Sequence, residues 1–308
     1  MSVGQNQPRE EVKQSNNKNV VKCRWCKSMN AVKKGFRKTE NRGKIQRFIC
    51  KDCHQSFCKD EGFYRMRNSE AKITQAIDLY FSNLSSRKVR NHFRRHLDHN
   101  ASHVTVLDWA RRYTLRVQRF VNKMQPKLSG EFYADETEID RGKNNDIFWC
   151  SVDWGTRYIN ANLYSPNDQN MKDTKTFMKR IKKSKKHPKY IQTDALPFYP
   201  RAFKKVFGQG KRKYDLKTEH KIVNFSKTKK YNVRIETVFS KIKDRTDDFR
   251  GIKALWSAPI LMAGIVLQHN WIEQHTTTGE LPCELAGLKL ETGVNRWLGL
   301  IKLASTSI

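Results

Sequence analysis

Acidic residues are scarce in this sequence: 30 Asp and Glu stand against 61 Lys and Arg, which gives the 308 residues a formal net charge of +31. Such an excess of positive charge predicts a polyanionic partner and an affinity that falls steeply with salt. Long apolar runs are lacking too. The longest weakly charged stretch, residues 254–267, contains Pro259 and Gly264 and is shorter than the ~20 residues of a membrane-spanning helix. We therefore expect double-stranded DNA rather than a membrane as the partner.

Two further signatures are missing. Residues 1–19 are polar and lack the apolar segment of a signal peptide, so we expect a cytoplasmic protein. No glycine-rich loop followed by a phosphate-binding lysine occurs, so no nucleotide cofactor is expected. Hydrophobic residues make up 37% of the chain. That content supports a buried core, which disfavours a ribosomal or nucleoid-packaging protein.

Two CxxC pairs predict a zinc ribbon. A hairpin signal, Asn41-Arg42-Gly43 followed by the alternating residues 44–49, lies between the pairs. Two such pairs can hold one tetrahedral, structural Zn²⁺ through four thiolates, and seven cysteines in a cytosolic chain favour metal over disulfides. The four predicted ligands are Cys23, Cys26, Cys50 and Cys53. Four reduced core cysteines are the alternative, and His54 or Cys58 could replace one ligand.

Helical periodicity follows the cysteine segment. One helix is predicted after a cap at Ser69, a second from Ser85 or Ser86, and a third after Ser102. Three helices with a short turn before the last predict a helix-turn-helix domain, whose final helix enters the major groove. His103 and Thr105 then lie where base edges are read. A plain three-helix packing unit remains the alternative.

Acidic residues at strand ends suggest a metal-dependent site further along. Strand-like segments follow a linker at residues 131–139, 146–154, 157–164 and 190–194. A later helical stripe, residues 235–242, carries Glu236 at its border. This order is that of a ribonuclease H-like α/β domain, a mixed sheet flanked by helices. Asp135, Asp194 and Glu236 are the candidate ligands of two Mg²⁺ or Mn²⁺ ions. Spacing alone leaves four other acids open: Glu136, Glu138, Asp153 and Glu219.

These segments resemble the family-six insertion-sequence transposases, a branch of the DDE recombinases. The resemblance covers residues 69–288 and depends on several blocks in order: Tyr133–Thr137, Ser151–Arg157, Ile191–Tyr199, Asn232–Glu236, Phe249–Ser257, His269–His275 and Leu281–Gly287. It implies that Asp135, Asp194 and Glu236 are the catalytic triad. It also implies that Lys243 contacts the DNA backbone near the cut.

The resemblance further implies an enzyme that binds the terminal inverted repeats of its element, cleaves each end and joins the 3′-hydroxyl to target DNA, as a homodimer on DNA. The stretch between Asp194 and Glu236 is longer than usual for the family, which leaves Glu219 as a second candidate for the third acid. Its basic residues are predicted to grip DNA: Lys204, Lys205, Lys211, Arg212 and Lys213.

The predicted organisation is a disordered arm (1–19), a zinc ribbon (20–63), a helix-turn-helix domain (64–125), a ribonuclease H-like catalytic domain with a basic insertion around 200–230 (126–275) and a C-terminal tail (276–308). Two other functions fit parts of this pattern. A non-catalytic DNA-binding regulator would share the DNA-binding segments, and a nuclease would cleave DNA without joining it.

Overall fold

The computed structural model describes residues 21–40, 43–59, 61–97, 101–141, 145–166, 169–184, 187–208, 218–223, 233–248 and 254–306. The chain divides into two compact units, residues 1–60 and 61–308. Within the described ranges, no helix combines the length and the apolar composition needed to cross a bilayer.

The smaller unit contains an antiparallel sheet of β1 (Ala31–Thr39), β2 (Gly43–Cys50) and β3 (Ser56–Cys58), in that order. The alternation predicted over residues 44–49 is therefore a strand. Phe48 and Phe57 stack on one face, with ring centroids 5.9 Å apart, and pack with Cys23 and Cys50. Few side chains are buried here, so this unit has little apolar core of its own.

Three capped helices open the larger unit: α1 (Glu70–Phe81), α2 (Ser86–His96) and α3 (His103–Val121). The side chains of Ser69, Ser85 and Ser102 accept hydrogen bonds from backbone N–H groups in the first turns. Each serine thus satisfies a donor that the helix itself leaves unpaired. The three helix starts predicted from the sequence are confirmed.

A five-stranded mixed sheet follows, formed by β4 (Glu131–Asp140), β5 (Asn145–Asp153), β6 (Ile159–Ser165), β7 (Tyr190–Thr193) and β8 (Glu219–Ile222). The strand order is β6-β5-β4-β7-β8. β4, β5 and β6 pair antiparallel, whereas β7 is parallel to β4 and β8 is parallel to β7. This is the mixed sheet predicted for a ribonuclease H-like domain.

Helices cover both faces of this sheet. α4 (Met171–Lys182) and α5 (Phe198–Phe207) share a core with the Phe132 and Trp149 side. α6 (Val233–Asp248) and α7 (Ala258–Leu267), which continues into a π-helical turn at Gln268–Ile272, belong to the opposite cluster. Two further helices follow, α8 (Pro282–Leu285) and α9 (Arg296–Thr306).

One hydrophobic cluster joins side chains from the first three helices, the sheet, α6, α7 and α9, among them Tyr80, Val106, Ile242 and Trp297. Gly264 of α7 allows the Phe81 ring of α1 to lie directly against the α7 backbone. A Cβ atom at this position would lie 2.1 Å from the Phe81 ring, so only glycine fits there. The predicted DNA-binding helices and the predicted C-terminal tail therefore share a core with the sheet.

Candidate active site

Asp135 lies on the central strand of the larger sheet. Tyr133 and Ile139 of β4 belong to the cluster that contains α6, while Phe132 and Ala134 belong to the opposite one. Because side chains alternate along a strand, Asp135 points to the α6 face and Glu136 to the α5 face. The Asp135 carboxylate accepts a hydrogen bond from the backbone N–H of Glu136 at 2.9 Å.

Asp194 is brought beside Asp135 by the parallel pairing of β4 and β7. Tyr133 is the register partner of Gln192. Two residues further along both strands, the same register brings Asp194 next to Asp135, one strand spacing or about 4.8 Å away. The backbone N–H of Leu196 donates to Asp194 Oδ1 at 3.1 Å and so holds the carboxylate at the end of the strand.

Glu136 completes a group of three carboxylates. Oxygen atoms of Asp135, Glu136 and Asp194 all lie within 4.8 Å of one another. Burial, together with the nearby charge of Asp194, raises the pKa of Asp135 to about 7. Burial also raises the pKa of Glu136, to about 8, and the pKa of Asp194. Three acids held this close resist ionisation unless a cation is present.

Glu236 lies outside this 4.8 Å group, on the exposed side of α6. Its charge still raises the pKa of Asp135, after the larger effects of burial and Asp194, and the charge of Lys243 lowers that pKa. Both α6 side chains are therefore within electrostatic range of Asp135. The structure therefore brings Asp135 and Asp194 into one group of carboxylates, whereas Glu236 lies outside that group.

The other acids considered from the sequence lie in different settings. The buried carboxylate of Asp153 accepts hydrogen bonds from the backbone and side chains of Ser129 and Thr156 and from the Gly130 N–H, so it fixes the turns at the ends of β4 and β5. Glu138 is exposed. Glu219 pairs with Tyr190 at the start of β7, roughly 13 Å from Asp194. The register therefore places Glu219 at the opposite end of β7 from Asp194.

The four CxxC cysteines of the smaller unit converge. Cys23 Sγ is 3.7 Å from Cys53 Sγ, and Cys26 Sγ is 3.5 Å from Cys50 Sγ. All four sulfur atoms lie within 4.8 Å of one another. A tetrahedral Zn²⁺ with Zn–S bonds of about 2.3 Å would separate its ligands by about 3.8 Å, so the spacing suits that ion. A hydrogen bond from the Cys53 backbone lowers the pKa of the Cys50 thiol to about 7.

The predicted DNA-contacting residues are distributed over several elements. His103 and Thr105 are half-buried in the first turn of α3, where the Thr105 N–H donates to the Ser102 hydroxyl at 3.1 Å. Lys204 and Lys205 are exposed in the last turn of α5. Three predicted residues lie outside the described residues: Lys211, Arg212 and Lys213.

Sequence reasoning missed a buried tyrosine that contacts the acidic group. The hydroxyl group of Tyr199 donates a hydrogen bond to Glu136 Oε2. Tyr199 is fully buried in α5. Sixty-three residues separate the two in the chain, and no local pattern links them. Only the pairing of β4 with β7, which leads directly into α5, could have suggested the contact.

Comparisons with known proteins address the larger unit. Residues 129–275 match the family model for the DDE domain of IS240-type transposases. No curated protein matches the chain.

Among solved structures, the HTLV-2 integrase catalytic core domain in complex with magnesium is similar in two forms. The trimeric form is 14% identical, over 53% of this chain and 98% of that one, with a TM-score of 0.38. The dimeric form is 12% identical over the same shares, with a TM-score of 0.36. The simian T-cell lymphotropic virus intasome in complex with PP2A regulatory subunit B56 gamma is 11% identical, over 68% and 74%, with a TM-score of 0.40.

The family match extends from just before β4 to just after the π-helical turn, and it contains Asp135, Asp194 and Glu236. Residues 129–275 therefore match a DDE domain, which indicates a DDE transposase, an enzyme that transfers nucleotidyl groups.

Proposed function

We propose that this transposase binds the terminal inverted repeats of an insertion sequence and cleaves and joins DNA strands with two divalent metal ions held by Asp135, Asp194 and Glu236. The observation that carries the proposal is the adjacency of Asp135 and Asp194. The parallel register of β4 and β7 brings these two carboxylates together inside a DDE domain. A divalent cation would relieve the mutual repulsion of these carboxylates when they are ionised.

The donor set fits Mg²⁺ or Mn²⁺. Mg²⁺ prefers oxygen ligands at about 2.1 Å and keeps several waters, so a few carboxylates on rigid strands suffice. Two ions about 4 Å apart can be served by ligands about 8 Å from each other. Glu236 can therefore serve a second ion without entering the 4.8 Å group. When bound, the ions would lower the pKa of the attacking hydroxyl group and stabilise the leaving oxygen.

The protein's own residues position the DNA. Lys243 lies two helical turns from Glu236 on α6, so the two side chains share a face. Its ammonium group would bind a phosphate oxygen beside the acidic group and hold the strand in line for attack.

End recognition is assigned to the helices and to the cysteine-rich unit. α2 exposes a row of cationic side chains, suited to phosphates: Arg87, Lys88, Arg94 and Arg95. The first turn of α3, with His103 and Thr105, would contact base edges in the major groove as in a helix-turn-helix domain. A structural Zn²⁺ on the four cysteines would stabilise a zinc ribbon, which otherwise has little core.

The exposed lysines of α5, Lys204 and Lys205, would add phosphate contacts next to the sheet. Two element ends require two sets of carboxylates, so we propose that a homodimer assembles on DNA. Mass measurements of the DNA-bound protein would test this stoichiometry.

A strand-transfer assay on a labelled end duplex tests the catalytic proposal. Wild-type protein with Mg²⁺ or Mn²⁺ should give both cleaved and joined products. Asp135→Asn, Asp194→Asn and Glu236→Gln should abolish both, while a gel-shift assay shows end binding nearly unchanged. Glu138→Gln, an exposed acid on the same strand, is the matched control and should remain active.

Each alternative function has its own outcome. Cleavage without joining would identify a nuclease. End binding by the wild-type protein with no metal-dependent cleavage would identify a DNA-binding regulator. Wild-type activity in one of the three variants would remove that residue from the mechanism.

A further inference from the structure

A fourth carboxylate belongs to the acidic site. Asp135 and Glu136 are neighbours in sequence and point to opposite faces of β4. In most strands this geometry keeps consecutive side chains apart. Here an oxygen of Glu136 nevertheless lies within 4.8 Å of oxygens of both Asp135 and Asp194. The Glu136 side chain therefore reaches the same point from the α5 side as Asp135 reaches from the α6 side.

Glu136 is held in this position through both of its oxygens. The Tyr199 hydroxyl group donates to Oε2 from α5. Gln169 Nε2 donates to Oε1 at 2.8 Å from the segment before α4. Two donors on different elements fix the orientation of a carboxylate far better than one, because neither oxygen can rotate away without losing a hydrogen bond.

Tyr199 itself is rigidly placed. Its side chain is fully buried, and its ring contacts Trp149 edge to face, with centroids 5.8 Å apart. The phenol stem is therefore part of the core between the sheet and α5, and only its hydroxyl group extends towards the acids. If position 199 served packing alone, a phenylalanine would fit there equally well.

We propose that Glu136 is a metal ligand of the DDE site and that Tyr199 is the residue that positions it. This inference rests on the proposed two-metal function of the site. Asp135 and Glu136 would then hold a divalent cation from the two faces of the sheet, with Asp194 alongside. Glu136 would then be the third carboxylate ligand, and Glu236 would add a fourth from α6.

The test measures metal binding directly in the full-length chain without DNA. Mn²⁺ titrations followed by electron paramagnetic resonance and by calorimetry give the dissociation constant for each variant. Glu136→Gln should raise the Kd for Mn²⁺ about tenfold or more. Tyr199→Phe should raise it by a similar factor, because outer partners of metal ligands typically contribute 10–100-fold in affinity.

Three further variants separate positioning from folding. Gln169→Ala removes the second donor at an exposed position, where unfolding is not expected, and should give a smaller rise in Kd. Tyr133→Phe removes another buried hydroxyl group, which bonds Tyr190 instead, and should leave the Kd unchanged. Glu138→Gln should also leave it unchanged. Strand transfer by Tyr199→Phe should recover at raised Mn²⁺ concentration.

The outcomes distinguish this inference from the proposed function. If Asp135→Asn and Asp194→Asn abolish Mn²⁺ binding while Glu136→Gln and Tyr199→Phe bind like wild type, the inference is wrong and the proposed function stands. If Asp135→Asn and Asp194→Asn also bind like wild type, the proposed function itself fails.

Discussion

The guanidinium group of Arg245 lies over the ring of Tyr80, with Cζ 4.6 Å from the ring centroid. Arg245 belongs to α6, the helix that carries Glu236, and Tyr80 belongs to α1. Arg245 Nη2 also donates to the carbonyl group of Leu84 at 3.3 Å, and the whole side chain is only 1% exposed. A single buried cation thus connects the helix beside the acidic site to the turn between α1 and α2.

Replacing this cation should weaken the whole larger unit. Arg245→Ala should lower the free energy of unfolding by about 2–4 kcal/mol, because it opens a cavity, removes a cation–π contact and leaves the Leu84 carbonyl without this donor. Urea denaturation followed by circular dichroism measures the change. Arg112→Ala, at an exposed position on α3, is the control and should change stability by less than about 0.5 kcal/mol. Equal effects of the two substitutions would contradict this role for Arg245.

Stabilisation by Mg²⁺ should increase with pH. Burial raises the folded-state pKa of Asp135 to about 7 and that of Glu136 to about 8, whereas both groups ionise near pH 4 in an unfolded chain. Unfolding of the metal-free protein therefore releases protons, and stability falls as pH rises from about 4 to 8. Mg²⁺ binds the ionised acids and relieves this loss.

The melting temperature measured with and without Mg²⁺ checks the prediction. The increment should be larger at about pH 8 than at about pH 6. In an Asp135→Asn, Asp194→Asn double variant the increment should disappear at both pH values. A wild-type increment independent of pH would show that these carboxyl groups are already ionised in the metal-free protein.

Acid should destabilise the protein through His269. This buried imidazole lies 2.9 Å from the Arg157 carbonyl oxygen through Nε2, and burial lowers its pKa to about 4. The unfolded chain takes up a proton near pH 6.5, so stability is lost as pH falls from about 6.5 to 4, by on the order of 2–3 kcal/mol.

Unfolding free energies measured across this pH range, for wild type and His269→Gln, isolate the contribution. A glutamine amide can still donate to the carbonyl group but does not titrate. The unfolding free energy of His269→Gln should therefore fall less than that of wild type as the pH is lowered. Parallel pH profiles for the two proteins would mean that other groups cause the acid sensitivity.

Removal of zinc should unfold the smaller unit alone. Purified protein should contain one Zn²⁺ per chain by elemental analysis, and chelation should remove amide protection from β1 to β3 while the larger sheet stays protected. Cys50→Ser should have the same effect, because three thiolates hold the ion less tightly. Cys58→Ser is the control, since its thiol is outside the group of four sulfurs. Retained protection after verified zinc loss would contradict a structural role for the metal.

The sequence predicts the parts of this fold that depend on local patterns. Serine caps fixed the starts of α1 to α3, and strand alternation located β4 to β7. The order of strands and helices, matched to a ribonuclease H-like domain, then predicted that Asp135 and Asp194 would meet. β8 was not predicted, because it has only four residues and none of its side chains is fully buried, so its sequence shows no clear alternation of apolar and polar residues.

The rest depends on long-range contacts that leave no local trace. Tyr199 reaches Glu136 across 63 positions, and Trp297 Nε1 in α9 donates to Gln268 Oε1 in the π-helical turn at 2.9 Å. The sequence predicted only a C-terminal tail at residues 276–308, because a single tryptophan does not reveal which part of the fold it packs against. The third acid also stayed ambiguous, because the long stretch after Asp194 left Glu219 open beside Glu236, and only the tertiary structure separates their surroundings.

The absence of a side chain at Gly264 has an evolutionary implication. The edge of the Phe81 ring occupies the space where a Cβ atom at Gly264 would be. Helix α1, which precedes the sheet, and α7, which follows it, therefore pack in direct contact at this point. A crossover that grafted the amino-terminal helices of a distant relative onto this sheet would have to reproduce that match. New target preferences should therefore arise through changes at outward-facing positions instead of exchange of whole segments.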